Sequence, residues 1–288
     1  MAQVKAVACE LPSELGVPIS RFSRAELHRL VIERGVTDAS AATIARWLAQ
    51  DALKPWQHRS WVFPRDPRFL ERAGPVLDLY QRRWKGRLLH PGEYVICADE
   101  KTQIQARQPR YQTAAPSPGH GQRIEHDYDR GGALSYLAAW DVHRGRLHGR
   151  CEQQTGIVPF GRLIEQVMST EPYANAKRVF WIVDNGSSHR GQTAVKRFEA
   201  QWPTLRLVQL PFYASWLNQI EIVFSVIQRK VLTPNDFTSL QQVVDRLDAF
   251  EHHYNQIAEP FDWAFTRSDL ERLIARVAAH EPRLRLAA

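Results

Sequence analysis

A chain of 288 residues has room for one or two domains with a sizeable core. Its apolar and charged fractions, 44% and 24%, are those of an ordinary soluble globular protein. The net charge of +7 suggests an anionic partner such as nucleic acid, although a merely basic enzyme explains it equally well. Three widely spaced cysteines, Cys9, Cys97 and Cys151, exclude a disulfide framework and a zinc cluster and favour a reducing cytoplasm. With no signal peptide and no stretch of transmembrane length, we expect no membrane partner.

Residues 1–53 are predicted to be a small helical region. After a loop over residues 11–22, Ser23 and Glu26 fit a capping box that begins a helix ending at Gly35. A second helix is predicted from about Ala41 to Leu53. Two short helices joined by a glycine-containing turn indicate a helix-turn-helix, and a plain helical hairpin is the alternative. In the first reading, the side chains that face a DNA groove are those of Ser40, Thr43, Arg46 and Gln50.

Residues 54–90 are predicted to be a basic linker arm followed by a helix at about Pro75–Trp84. Between residues 54 and 87, nine Lys and Arg face only three Asp and Glu, a local charge of +6, and three tryptophans are interleaved. Cations among aromatic rings suit phosphate, sugar and base contacts, whereas a solvated basic face is the alternative. The arm residues predicted to contact DNA are Lys54, Arg59, Arg65 and Arg68.

From residue 92 onward, strands and helices alternate. The first strand, Glu93–Ala98, ends at Asp99, and a polar excursion follows over Gln105–Gly132. A glycine pair within it, Gly119 and Gly121, lacks the third glycine and the preceding strand of a nucleotide fingerprint, so we expect no nucleotide cofactor. Two antiparallel strands are predicted next, at Ala133–Val142 and Arg146–Glu152.

The order of the remaining elements predicts the fold. A helix over Phe160–Thr170 precedes an apolar strand that ends at Asp184, and a second helix, Gln192–Gln201, precedes a strand over Leu205–Leu210. Three leading antiparallel strands followed by helix, strand, helix and strand are typical of an α/β ribonuclease H-like fold, of the retroviral-integrase type. We therefore expect a mixed five-stranded sheet flanked by helices, behind a small all-α region. Helices that pack on it are predicted at Leu217–Leu232, about Ser239–Ile257 and about Ser268–His280.

Three acids stand at positions that favour a metal site. Asp99 and Asp184 each end a strand, and these two strands are neighbours in the predicted sheet. Glu221 lies at the edge of the buried face of the helix that follows the last strand. Each acid alone is more often a strand-end cap or an ion-pair partner. Together they repel one another unless a divalent cation is bound, and oxygen ligands favour Mg²⁺ or Mn²⁺. Two such ions support in-line attack on a phosphodiester.

Three blocks carry a family resemblance: ADEKT around Asp99, WIVDNGSSHRG around Asp184 and SWLNQIEIVFSVIQRKVLTPNDF around Glu221. With LKPWQHRSWVFPRDPRF in the arm, they resemble a bacterial insertion-sequence transposase of the mariner-related group of the DDE superfamily, the IS-six-thirty family. The resemblance implies a catalytic domain over 91–288 that cuts transposon ends and joins them to target DNA with two Mg²⁺ ions, for which Mn²⁺ substitutes. It carries the metal ligands over to Asp99, Asp184 and Glu221. Residues given supporting roles in the same blocks are Glu100, Asn185, His189, Trp216 and Asn218.

The resemblance also implies double-stranded DNA partners, a homodimer on paired inverted-repeat ends, a TA target and a bacterial, nucleoid-associated cytoplasmic location. Members usually carry a further N-terminal helix-turn-helix, whereas Met1 here precedes the second such segment closely, so a truncated or frame-split product is expected. Two other functions remain open. One is a catalytically impaired DNA-binding inhibitor, and the other is a general ribonuclease H-like nuclease without strand joining.

Overall fold

The computed structural model of the chain describes residues 1–57, 66, 68–186 and 192–280, with the backbone alone at 192–196 and 278–280. The chain divides into two compact units, Met1–Phe63 and Pro64–Ala288. No helix in the described part of the chain combines the length and apolar character that a membrane span requires. The predicted division at residues 53 and 90 stays a prediction.

The first unit is a cluster of three helices: α1 (Ala2–Ala8), α2 (Arg24–Glu33) and α3 (Ala41–Gln50). The capping box at Ser23 and Glu26 is confirmed, and Ser40 caps α3 through the Thr43 amide. The second helix ends three residues earlier than predicted, and α1 was not predicted. The three helices share one apolar core, made of Val4, Ala8, Phe22, Leu27, Val31, Ile44 and Leu48.

The second unit begins with α4 (Phe69–Tyr80) and a short hairpin, β1 (Arg83–Trp84) and β2 (Arg87–Leu88). The helix predicted at Pro75–Trp84 was wrong at both ends, because Pro75 lies inside α4 and Trp84 lies in the hairpin. A proline inside a helix lacks the amide hydrogen bond and weakens the helix. Burial of the α4 residues on both sides of Pro75 offsets this cost. The buried residues include Phe69, Ala73, Val76, Leu77 and Tyr80.

The sheet contains β3 (Glu93–Pro109), β4 (Tyr128–Asp141), β5 (Arg146–Glu152), β6 (Arg178–Val183) and β7 (Leu205–Gln209). Their order is β5-β4-β3-β6-β7, with antiparallel β3–β4 and β4–β5 pairs and parallel β3–β6 and β6–β7 pairs. The predicted mixed five-stranded sheet is confirmed.

The first two strands extend further than predicted. The strand expected to stop before Asp99 continues to Pro109, and β4 begins at Tyr128, so both ends of the polar excursion belong to a two-stranded hairpin. This extension pairs with β4 alone, since β6 stops pairing with β3 at Cys97. Polar residues suit a ribbon that lies beyond the packed sheet, and their lack of apolar alternation hid the strand from the sequence.

Helices cover both faces of the sheet. On one face, α5 (Ile157–Met168) and α6 (Gln192–Gln201) contribute to a core that includes Ala98 and Trp181. On the other, α4 is joined by α7 (Ile220–Lys230), α8 (Leu240–Ile257) and α9 (Arg267–His280), over a core that includes Cys97 and Ile182. The predicted Leu217–Leu232 helix is divided: Leu217 lies in a 3-10 turn, Ser215–Leu217, and α7 begins only at Ile220.

Candidate active site

Asp99 and Asp184 are brought together by the register of two parallel strands. The last residue pair of β3 and β6 is Cys97 with Ile182; Asp99 lies two residues further along β3, and Asp184 lies two residues further along the chain, directly after the end of β6. Side chains alternate along a strand, so both aspartates share the face of Cys97 and Ile182, which α7 covers. Neighbouring strands lie about 4.8 Å apart. The predicted proximity of the two aspartates therefore agrees with the topology.

The carboxylate of Asp99 is surrounded by other acids. Asp99 is half-buried, and its Oδ1 accepts a hydrogen bond from the Glu100 amide at 2.8 Å. Burial raises the pKa of Asp99 to about 7, the charge of Asp184 adds to the rise, and Glu100 and Glu221 contribute further. The ionised form of Asp99 is thus disfavoured mainly by desolvation and by its acidic neighbours, which is a cost that a bound cation would relieve.

Two buried hydrogen bonds hold the segment that leads into α7, one to β3 and one to α4. Asn218 is 1% exposed and donates from Nδ2 to the carbonyl of Ala98 at 3.1 Å, next to Asp99. The hydroxyl of Tyr80 donates to the carbonyl of Leu217 at 2.6 Å. The supporting role predicted for Asn218 stays a prediction, but its side chain joins the two elements that carry Asp99 and Glu221.

Glu221 lies in the first turn of α7 and is exposed. Partial desolvation is the main cause that raises the pKa of Glu221, while the ammonium of Lys101 lowers it and Asp184 raises it. The Glu221 carboxylate is therefore within electrostatic reach of an acid on β6 and of a cation on β3. Such a position at the edge of the buried helix face agrees with the helical spacing of the sequence.

Lys101 is the site residue that sequence reasoning missed. It lies on β3 two positions after Asp99, on the same strand face, and its charge acts on Glu221. The period of two along a strand was a signal that would have found it. Lys101 places a cation within electrostatic reach of this cluster of carboxylates.

The other predicted supporting residues have separate positions. Asn185 donates from Nδ2 to the carbonyl of Leu210 at 2.7 Å, which ties the end of β6 to the end of β7. Glu100 is turned to the opposite strand face from Asp99, and its buried Oε1 has no hydrogen-bond partner among the described residues. Trp216 packs its ring near those of Phe69 and Phe265, with centroids 6.4 and 5.9 Å away. His189 lies outside the described residues.

The donor set fits a hard divalent cation, because it offers carboxylate oxygens alone. Burial raises the pKa of the nearby Cys97 thiol to about 12, so no thiolate is available there. Among the residues that the structure describes, no three His, Cys, Asp or Glu side chains are grouped so as to hold a metal ion. Asp99 and Asp184 share one face of the sheet, and Glu221 lies on the helix that covers this face. For all three to bind one ion, their carboxylates must come closer together than they are in this structure.

The predicted DNA-contact residues of the first unit lie along α3. Ser40, Arg46 and Gln50 are exposed and Thr43 is half-buried. Ser40 Oγ accepts from the Thr43 amide, and Arg46 donates to Thr43 Oγ1 at 3.2 Å. Gln50 accepts from Lys5 of α1 at 3.2 Å. Lys54 and Arg68 are exposed, whereas Arg59 and Arg65 lie outside the described residues.

A family model described as DDE superfamily endonuclease matches residues 94–244, which is just over half of the chain. The chain belongs to the DDE superfamily of endonucleases. The matched segment contains Asp99, Asp184 and Glu221. A comparison with functionally curated proteins gave no match.

Solved structures of the Mos1 mariner transposase have a similar fold. The paired-end complex with the left transposon end is 19% identical with a TM-score of 0.51, over 93% of this chain and 79% of that one. The strand transfer complex is 17% identical with a TM-score of 0.50, over 93% and 78%. A paired-end complex with Mn is 18% identical with a TM-score of 0.50, over 93% and 79%. These similarities confirm the predicted ribonuclease H-like fold.

Proposed function

We propose that this DDE endonuclease is a transposase of the mariner-related IS-six-thirty family, which cleaves DNA at transposon ends and transfers the cut strand to target DNA. The observation that supports it is the register of β3 and β6, which carries Asp99 and Asp184 two residues past the last shared pair, beside α7 with Glu221. In this proposal the three acids are the metal ligands. Their mutual effect on the pKa of Asp99 is the expected electrostatics of such a site.

The residues of the chain have distinct tasks in this mechanism. The Glu100 amide orients Asp99 and the Gly186 amide orients Asp184, each through a hydrogen bond to Oδ1. Asn218 keeps the helix that carries Glu221 close to them. When bound, two Mg²⁺ ions, or Mn²⁺ as a substitute, supply an activated water or 3′-hydroxyl and stabilise the leaving oxygen. The ammonium of Lys101, whose charge lowers the pKa of Glu221, favours the ionised carboxylate that a divalent cation would bind.

The proposed partner is double-stranded DNA with inverted-repeat transposon ends and a TA target. The similar Mos1 structures are paired-end and strand transfer complexes. Because pairing two transposon ends requires at least two active sites, we infer a homodimer on DNA for this chain. The exposed side of α3, with Ser40, Arg46 and Gln50, is the proposed groove-facing surface.

Asp184→Asn tests the catalytic assignment. On a plasmid that carries the DNA flanking the coding sequence on both sides, we expect the wild type to nick in Mg²⁺ and the variant to lose nicking. Thermal unfolding of the variant should stay near wild type or rise slightly, because like-charge repulsion is relieved. Asp262→Asn, at an exposed aspartate, is the matched control and should nick normally. Persistent nicking by Asp184→Asn would sink the assignment.

A second assay separates a transposase from a general nuclease. A flanking end already cut to a free 3′-hydroxyl is offered with a target plasmid, and joined product is measured. The proposal expects joining that Asp184→Asn abolishes. Nicking without any joining favours the nuclease, whereas DNA binding without nicking favours the impaired inhibitor.

A further inference from the structure

A basic cavity lies at the other end of the sheet from the acids. Its volume is about 720 Å³, and the hairpin β1–β2, the start of β3 and the start of β6 surround it. The cavity is lined by Glu93, the first residue of β3, and Asp99 lies six residues further along that strand. At about 3.3 Å per residue, the cavity is roughly 20 Å from the catalytic acids. It is therefore a separate feature of the same unit.

Cations dominate the lining of this cavity. Lys85 and Arg87 come from the hairpin, and Lys177 and Arg178 come from the chain that enters β6. The acid in the described lining, Glu93, is already engaged, since it accepts a hydrogen bond from the His90 amide at 2.8 Å and lies 3.5 Å from the Arg178 guanidinium. In the described part of the chain, Lys85, Arg87 and Lys177 have no ion-pair partner, so three cations are available to an anion.

The hairpin geometry fixes where its cations lie. Lys85 and Gly86 have φ of 49° and 79°, which is the left-handed pair of a two-residue type I′ turn. A lysine in this region is strained and persists where the surroundings determine it. Behind the turn, Trp84 packs against Phe180 with ring centroids 4.8 Å apart, which anchors the hairpin on β6.

His90 adds a neutral donor to the same lining. Its Nδ1 accepts the Gly92 amide at 3.1 Å, so the proton of the neutral ring is on Nε2. Leu88 is 70% exposed beside these polar groups. Cations spread over two chain segments, with a half-buried tryptophan and an exposed leucine among them, match the alternating phosphates and sugars of a nucleic-acid backbone better than one small anion.

We propose that this cavity is a second contact for the phosphate backbone of duplex DNA, held by Lys85, Arg87 and Lys177. The contact lies about 20 Å from the acids, so it engages DNA outside the cleaved bond. It requires no divalent ion, and it stands whether or not the three acids are catalytic. The sequence alone showed Lys85 and Arg87 in a basic window, but the fold adds Lys177 and Arg178 to them.

The test is the salt dependence of DNA binding by the full chain. Affinity for a fluorescent duplex is measured by anisotropy with a metal chelator present, from about 50 to 200 mM salt. Each lost phosphate contact lowers the slope of log K against log salt by about 0.9. In the triple variant Lys85→Ala, Arg87→Ala, Lys177→Ala, the slope should therefore be shallower by about 2.7. When salt is raised over this range, the affinity of the wild type should fall by a factor roughly 40 times larger than that of the variant.

Two controls remove the effects of net charge and folding. Arg206→Ala, Arg246→Ala and Arg276→Ala together remove three exposed charges elsewhere in the unit and should leave the slope within about 0.5 of wild type. The charge-keeping triple Lys85→Arg, Arg87→Lys, Lys177→Arg should restore the slope. A slope equally reduced in both alanine triples, or in neither, overturns the proposal.

Titration of inorganic phosphate at constant ionic strength separates DNA from a free anion. The proposal expects weak phosphate binding in wild type and a changed DNA slope in the alanine triple. Phosphate binding that the triple abolishes, together with an unchanged DNA slope, would assign the cavity to a small anion instead. Because nicking is not measured, failure here leaves the Asp184→Asn result untouched.

Discussion

Two aspartates only three residue pairs apart in the β3–β4 ladder show how different two desolvated acids can be. Asp99 is paired with Ala138, whereas Asp141 is paired with Ile96, three pairs nearer the start of β3. Burial is the main cause that raises the pKa of both. Asp141, which is fully buried, accepts hydrogen bonds from the Tyr173 hydroxyl at 2.8 Å and from the amides of His143 and Arg144, both at 3.1 Å.

The difference lies in the neighbours of the two carboxylates. Asp141 is surrounded by donors, including the Arg144 guanidinium at 3.9 Å, so its charge is compensated within the chain. Among the described residues, the Asp99 carboxylate accepts a hydrogen bond from the Glu100 amide, and three neighbouring acids raise its pKa. Burial alone therefore does not mark a functional acid. An acid placed among acids, with a net cost that the fold does not offset, indicates a ligand that comes from outside.

Asp99→Asn is expected to have the largest effect. If this variant kept its nicking activity, the contrast drawn between Asp99 and Asp141 would be wrong. Metal-dependent nicking should fall on the order of 10³-fold or more, the scale of losing an essential member of a catalytic set. The free energy of unfolding without metal should stay level or rise, because a repelling charge is removed. Nicking rates and denaturant midpoints of the same preparation check both parts. Asp141→Asn is the control, and its nicking should remain within a few-fold of wild type.

Asp141→Ala is expected to act on stability instead. It leaves the Tyr173 hydroxyl and two turn amides without their acceptor, and unsatisfied buried donors cost about 1–3 kcal/mol each. We expect the free energy of unfolding to fall by roughly 3 kcal/mol, as measured in urea. Asp141→Asn keeps an oxygen for the amides and should lose less than about 1 kcal/mol. An alanine variant that unfolds at the wild-type midpoint contradicts a structural role.

The acids were predictable because their signal is local. An apolar run that stops at Asp184 and another before Asp99 were enough to predict two buried strands and a shared edge. Glu221 followed from helical spacing. These residues therefore needed only strand and helix periods and the order of elements.

The features that the sequence did not reveal depend on tertiary contacts. Pro75 predicted a helix start, yet burial of the residues around it extends α4 on both sides. The polar continuation of β3 is a strand only because β4 pairs with it. Lys177 joins Lys85 at one cavity although they are 92 positions apart, which no local pattern encodes. Local periods carried the core and the acids, and long-range pairing supplied the rest.

Glu251→Gln extends the comparison of Asp99 with Asp141 to a third acid, and it is expected to have the smallest effect on nicking. This half-buried acid on α8 resembles Asp99 in that burial raises its pKa to about 7 and the neighbouring Asp248 adds to the rise. It differs in that it accepts a hydrogen bond from the Tyr136 hydroxyl at 3.4 Å, and in that α8 packs mainly on β5, which two strands separate from β6. If the raised pKa of Glu251 matters only for folding, replacing Glu251 will change the free energy of unfolding and leave the nicking rate unchanged.

The sign follows from proton binding. The folded state holds the Glu251 proton up to about pH 7, whereas the unfolded chain releases it near 4.5, so this group stabilises the fold fully below 4.5 and the contribution is lost as pH rises through 7. Glu251→Gln should therefore gain stability relative to wild type as pH rises from about 4.5 to 7. Denaturant midpoints at several pH values measure it, with the exposed Glu165→Gln as control. A pH-independent difference between Glu251→Gln and wild type would show that the carboxyl titrates normally and that burial and the neighbouring Asp248 do not shift its pKa.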